Sequence, residues 1–221
     1  MSRKRRVILV GLLALAAAAG LAAWVIHGRG DGMPQGPSLP PQLPEKEFAP
    51  DVVAMNDRAV ELIQAGDLDE ALALLDRAIQ EDPAYHWAYV NKAVVLVEQK
   101  KYAKAEACYR RLTALRPHAA EYYIGQAFCL QRLGRSDQAR ERLRYALSAY
   151  NLRLEAQPFE ARLNRAMVLF LLGYDGFAEQ DLRELEKDGA DPMSLKRVSG
   201  MRHGMEEARR GDRWSILGLD E

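Results

Sequence analysis

The side chains able to do chemistry are few in this chain, and they are scattered. Histidine occurs only at positions 27, 86, 118 and 203, and no two stand at the i, i+4 spacing that places a zinc-binding pair on one helix face. Cys108 and Cys129 are the only cysteines, too few for a disulfide framework and too far apart for a zinc knuckle. The run Gly28-Arg29-Gly30-Asp31-Gly32 follows no strand and opens no helix, so it lacks the setting of a phosphate cradle. Glu106, Glu141, Glu179 and Asp181 lie among lysines and arginines and read as solvated helix surface with spaced ion pairs. No catalytic constellation, metal site or cofactor site emerges, and the chain reads as a non-enzyme. Lysine plus arginine, 31 residues, balance 31 aspartates and glutamates, so no net field draws in nucleic acid. Recognition of another protein is the chemistry left to look for.

The elements that would carry such recognition are announced by residues 66–83. Gly66 ends one element, Asp67 and Glu70 have the spacing of a capping box, and Pro83 stops the helix. Between them Leu68, Ala71, Leu72, Leu75, Ala78 and Ile79 recur at spacings of three and four, which makes one apolar stripe. Ala71 and Ala78 are small on that face and admit a close neighbour helix. The pattern returns. Lys100 stands 34 residues after Gly66 and is followed by Tyr102, Ala105, Tyr109, Leu112 and Pro117; Gly134 leads to Ala139, Leu143 and Ala146. A fourth copy starts five residues late at Gly173, with Ala178, Leu182 and Leu185. Seven residues before each turn stands an alanine (59, 93, 127, 166), and four before it a leucine (62, 96, 130, 169).

Paired helices at this period resemble the tetratricopeptide repeat family, over about residues 51–190. The resemblance implies an all-α fold, a right-handed helical solenoid in which neighbouring pairs bury the stripes that none could bury alone. The insertion near 152–158 is expected to lengthen the second helix of the third copy or the loop after it. The fourth copy departs most, with Ala190 in place of the closing proline and Arg162 where earlier copies have Met55, Tyr89 and Tyr123.

The resemblance also implies that the first helix of each pair lines a concave face. The positions it turns inward are Trp87, Val90, Val94 and Val97 in copy two, Glu121, Ile124, Phe128 and Arg132 in copy three, and Glu160, Leu163, Met167 and Phe170 in copy four. Their apolar members are expected to form a groove for a helix or an extended segment of a partner protein. The alternative is that neighbouring helices or the C-terminal tail cover them. The family's lysine and asparagine clamp for a C-terminal carboxylate does not fit, because Asn56 suits it and Val60, Val90 and Val94 do not. By the repeat logic Cys108 and Cys129 fall on adjacent helices, where a bridge forms only at suitable Cα separation.

Outside the repeats (51–192) the chain changes character. Residues 3–6 are basic, and residues 7–26 carry no charge. Twenty helical residues span about 30 Å, the thickness of a bilayer core. The expectation is a transmembrane anchor over 7–26 behind a cytoplasmic stub at 1–6, with a cleaved signal peptide as the alternative. The remainder would then lie in the periplasm, tethered to the inner membrane. Residues 27–50 are rich in proline and glycine and are expected to form a semi-rigid spacer holding the repeats off the membrane. Residues 193–221 are expected to supply a capping helix, weakened at Gly200 and Gly204, and an apolar tail (Trp214, Ile216, Leu217, Leu219) that docks on the last repeat. The functional expectation is a membrane-tethered interaction scaffold or chaperone-like module. Its alternative is a self-assembling envelope subunit whose anchor pairs through Ala16 and Gly20.

Overall fold

The computed structural model describes residues 32–44, 46–187 and 191–219. Among the described residues there are nine α-helices, one 3₁₀ turn and no strand. The helices are α1 (Pro50–Ala65), α2 (Leu68–Glu81), α3 (His86–Glu98), α4 (Tyr102–Leu115), α5 (Ala120–Arg132), α6 (Ser136–Arg153), α7 (Pro158–Leu172), α8 (Asp175–Lys187) and α9 (Pro192–Ala208); the turn is Arg213–Leu217. No helix among them is long and apolar enough to cross a membrane, and the expected anchor at 7–26 lies outside the described residues.

The four turns are built alike. In each, the residue after the turn position donates its N–H to the carbonyl of the leucine four residues before that position: Asp67 to Leu62 (2.9 Å), Lys101 to Leu96 (2.8 Å), Arg135 to Leu130 (2.9 Å) and Tyr174 to Leu169 (2.8 Å). A second bond runs from the turn residue itself to the carbonyl three back, completing the Schellman pattern. That pattern needs a left-handed residue. Gly66, Gly134 and Gly173 supply it at φ 93°, 73° and 88°, and Lys100 adopts it at φ 57°. Asp67 stands at the start of α2, but its side chain makes no capping bond. Its ψ of 61° is not the extended backbone that aims a carboxylate at the first-turn amides, so the expected capping box does not form.

The small residues close the helix pairs. Ala59, Ala93, Ala127 and Ala166, and Ala71, Ala105, Ala139 and Ala178, are all buried. Each absent side chain lets backbones approach to the short end of interhelical distance. The chain divides into two compact units. The first, Pro40–Ala139, packs α1 on α2, α2 on α3, α3 on α4 and α4 on α5. Its core includes Val52, Leu62, Ile63, Leu75, Tyr85 and Val95, with Phe48 packed against it.

The second unit, residues 32–39 with 140–219, contains most of α6 and everything after it. There α7 packs on α8, α9 lies against both, and the 3₁₀ turn touches α7 and α9. The late start of the fourth copy is taken up by α6, which runs to Arg153, and by the loop to Pro158, which opens α7. Arg162, the departure in this copy, pairs with Glu184 at 3.3 Å. Asp191 caps α9 by accepting the amides of Met193 (2.9 Å) and Ser194 (3.2 Å). α9 is continuous through Gly200 and Gly204 and is held from outside: Arg197 forks onto Glu160 of α7, and Arg202 reaches Glu179 and Glu186 of α8. Trp214 and Leu217 of the tail are buried in this unit.

Candidate functional site

Eight of the nine apolar residues expected to line a groove are buried: Val90, Val94, Val97, Ile124, Phe128, Leu163, Met167 and Phe170. Phe128 and Phe170 are 0% exposed and offer a partner no surface in this state. The covering groups are identifiable within each unit. Tyr102 meets Phe128 edge-on at 5.9 Å, and the Arg132 guanidinium lies 5.1 Å from the same ring centroid. In the second unit the Arg213 guanidinium sits 4.5 Å from the Phe170 ring centroid and donates to the Phe170 carbonyl, while its other nitrogen reaches Asp175 at 2.9 Å. In this structure those eight positions are buried rather than open surface.

Trp87 is the exception, with half of its surface exposed. It stands in the first turn of α3, next to the buried His86, whose ring centroid is 4.7 Å away. Phe48 packs edge-on against Tyr85 at 4.8 Å and reaches His86 at 6.0 Å, while Lys46 pairs with Asp82 at 2.6 Å. One turn beyond Trp87, on the same face of α3, Asn91 donates from Nδ2 to Oδ1 of Asn56 on α1 at 2.7 Å. An indole thus adjoins a pair of side-chain amides. Such a set can cover an apolar side chain and hydrogen-bond a peptide backbone beside it. The family's carboxylate clamp singles out Asn56 alone; Asn91 follows Trp87 at i+4, the spacing that joins them on one helix face.

Two of the four carboxylates expected on solvated faces are buried. Asp181 is fully enclosed, and Arg165 holds it with two bonds, Nε to Oδ2 (2.8 Å) and Nη2 to Oδ1 (2.6 Å). Burial disfavours the charged carboxylate and raises the Asp181 pKa above the ordinary aspartate value, against the pull of Arg165. Arg165 also donates from Nη1 to Oδ1 of Asn151 at 2.8 Å. Glu106 is buried as well and accepts from Gln126 at 2.8 Å and from Arg110 at 3.3 Å. Counting charges along a helix cannot reveal such pairing, although an arginine just before the apolar run 166–172 was a usable signal. Glu160, by contrast, sits half-covered at the surface, and the hydrogen bonds from Arg197 hold its carboxyl below the usual range.

Cys108 and Cys129 are buried free thiols. Burial raises their pKa values, to about 11 for Cys108 and about 12 for Cys129. They are neutral core residues at physiological pH, without nucleophilic character. No group of three or more potential metal ligands occurs among the described residues.

Helical hairpins with one turn chemistry and one set of small-residue contacts define a helical repeat protein. Sequence profiles described as tetratricopeptide repeat match residues 62–127 and 120–144. The chain carries tetratricopeptide repeats over residues 62–144. An uncharacterized protein of Methanocaldococcus jannaschii is 34% identical over 61 residues, which cover 28% of this chain and 71% of that protein. Among solved structures, MamA (AMB-1) aligns with a TM-score of 0.44 at 18% identity, covering 66% of this chain and 78% of its own. YrrB, described as a TPR protein with an unusual peptide-binding site, aligns with a TM-score of 0.47 at 18% identity, covering 77% and 88%.

Proposed function

We propose that this chain is a protein-interaction module, tethered to the inner membrane through residues 7–26 with its repeats in the periplasm, and that it binds a segment of another protein at Trp87. The observation that carries the binding reading is the half-exposed indole in a set of first-helix residues that are otherwise core. Large aromatic residues at a protein surface are the usual energetic centres of recognition, each costing about 2 kcal/mol or more when truncated. The Asn56–Asn91 pair beside it supplies polar atoms that fix a peptide backbone. The membrane reading rests on the uncharged run and the basic residues ahead of it.

A photo-crosslinking amino acid at position 87, in the full chain expressed in cells, tests the site. A partner adduct is expected at position 87 and not at the exposed control position 81. Equal crosslinking at both, or none at 87, refutes the site; adducts only to a second copy of the chain move the reading to self-assembly. A reporter active only outside the cytoplasm, fused after Glu221, should be active, and inactivity refutes the orientation.

A further inference from the structure

Within the proline- and glycine-rich stretch, residues 33–39 lie against α6. Within residues 33–39, Gln35 and Ser38 are exposed, whereas Met33, Pro34, Gly36, Pro37 and Leu39 are half-buried. Exposure at every third residue is the period of the polyproline II helix, three residues per turn. Prolines at 34 and 37 fix φ in that region, and the conformation satisfies none of its own carbonyls.

One backbone carbonyl and one side-chain oxygen of the segment meet donors on α6. Ser148 donates from Oγ to the carbonyl of Pro37 at 2.7 Å. Asn151 donates from Nδ2 to Oε1 of Gln35 at 3.4 Å. Between these contacts Gly36 passes so close to the helix that a Cβ placed on it would overlap the Arg144 carbonyl oxygen and Ser148 Oγ. The Arg144 oxygen is backbone and cannot swing aside. Residues 144, 148 and 151 follow at four and three along α6, so the contacts form one stripe. Asn151 is in turn oriented from beneath: its Oδ1 accepts from Arg165, which Asp181 locks in place. With Oδ1 so engaged, the NH₂ group faces Gln35. A buried ion pair thereby presets a surface amide, as outer partners preset the ligands of a built site.

We propose that this stripe of α6 is a binding site for extended polyproline-type peptides containing a Gly-Pro pair, and that residues 33–39 are its resident occupant. The glycine is demanded by the Arg144 and Ser148 contacts, and the following proline presents its carbonyl to Ser148. This site stands on the second unit and does not depend on Trp87, which belongs to the first. A tethered segment faces its site at an effective concentration on the order of millimolar. A free peptide at micromolar concentration therefore leaves the resident segment in place, and the site opens to others only when that segment is withdrawn.

The test uses the full chain in detergent with Ser38→Cys carrying a nitroxide label; Cys108 and Cys129 are buried and do not compete for the reagent. The probe is a synthetic peptide of residues 32–41, Gly-Met-Pro-Gln-Gly-Pro-Ser-Leu-Pro-Pro. An immobilised spectrum is expected, narrowing when Gly36→Leu is added, with helix content unchanged by circular dichroism. The released chain should then bind the peptide by fluorescence anisotropy, at least tenfold more tightly than the unreleased chain. A peptide with leucine at the Gly36 position should not bind, and Ser148→Ala should weaken binding several-fold. A label already mobile before Gly36→Leu is introduced overturns the docking. A label still immobile after it overturns the glycine requirement, and a released chain that ignores the peptide overturns the site.

Discussion

Arg213 covers the ring of Phe170 and donates to the backbone carbonyl of the same residue, so one guanidinium seals both the side chain and the C-terminal turn of α7. Its partner Asp175 is itself buried and is shared with Arg209 at 3.5 Å. Arg213→Ala should cost about 1.5–3 kcal/mol, the range of a hydrogen bond to a charged group, because Arg209 still neutralises Asp175. Arg213→Lys should recover little, since an ammonium neither forks nor stacks. Thermal melts check the stability, and a red shift of tryptophan emission checks that the tail around Trp214 has loosened.

Trp87 and Phe128 were grouped by the repeat phase and are separated by burial. Phe128→Ala should cost about 3–5 kcal/mol through the cavity it leaves. Trp87→Ala should stay near the effect of an exposed site, within about 1 kcal/mol. Denaturant unfolding of the two variants should therefore differ plainly in midpoint. Equal losses would place Trp87 in the core.

The Arg165–Asp181 pair should respond asymmetrically. Asp181→Ala leaves a buried guanidinium without its counter-charge and should cost about 3–5 kcal/mol. Replacing both, as Arg165→Met with Asp181→Leu, should restore much of that loss, because well-packed apolar residues substitute for a buried pair at little cost. The double variant also removes the brace on Asn151, so it should weaken the hold on Gln35 even where stability returns.

The two thiols give a pH dependence with a definite sign. Both pKa values are raised on folding by burial. Their contribution to stability is complete below the unfolded thiol value of about 8.5 and is lost as pH rises through the folded values. Unfolding midpoints should fall between about pH 8.5 and 11, and Cys108→Ala with Cys129→Ala should flatten that decline. At pH 8 neither thiol should react with a thiol reagent until denaturant is added.

What the sequence made legible was the periodic part. The alanine and leucine columns and the glycine turns recur because each pair solves the same packing problem with the same residues. The helix pairs, and the apolar positions of their first helices, follow from those columns. Whether such a position is open or covered does not, because the cover comes from far along the chain: Arg213 lies 43 residues beyond Phe170. Composition likewise marks residues 33–39 as extended without saying what they lie on. The contact depends on one glycine fitting over one carbonyl, at Gly36 and Arg144. The burial of Asp181 was hidden for a related reason, since its partner stands 16 residues away on the preceding helix.

Lys100 makes the molecule its own control experiment. Three of the four repeat turns use glycine, and the second uses a lysine in the same left-handed backbone, φ 57° against 73–93°. A β-carbon in that region costs about 1 kcal/mol, so this hinge is the one most easily undone. Amide exchange at Lys101, whose N–H bonds to Leu96, should run several-fold faster than at Asp67, Arg135 and Tyr174, and Lys100→Gly should bring it level. Thermal fluctuation, on this reasoning, is unevenly distributed among nominally equivalent repeats, and the chain opens first between α3 and α4, directly after the helix that carries Trp87.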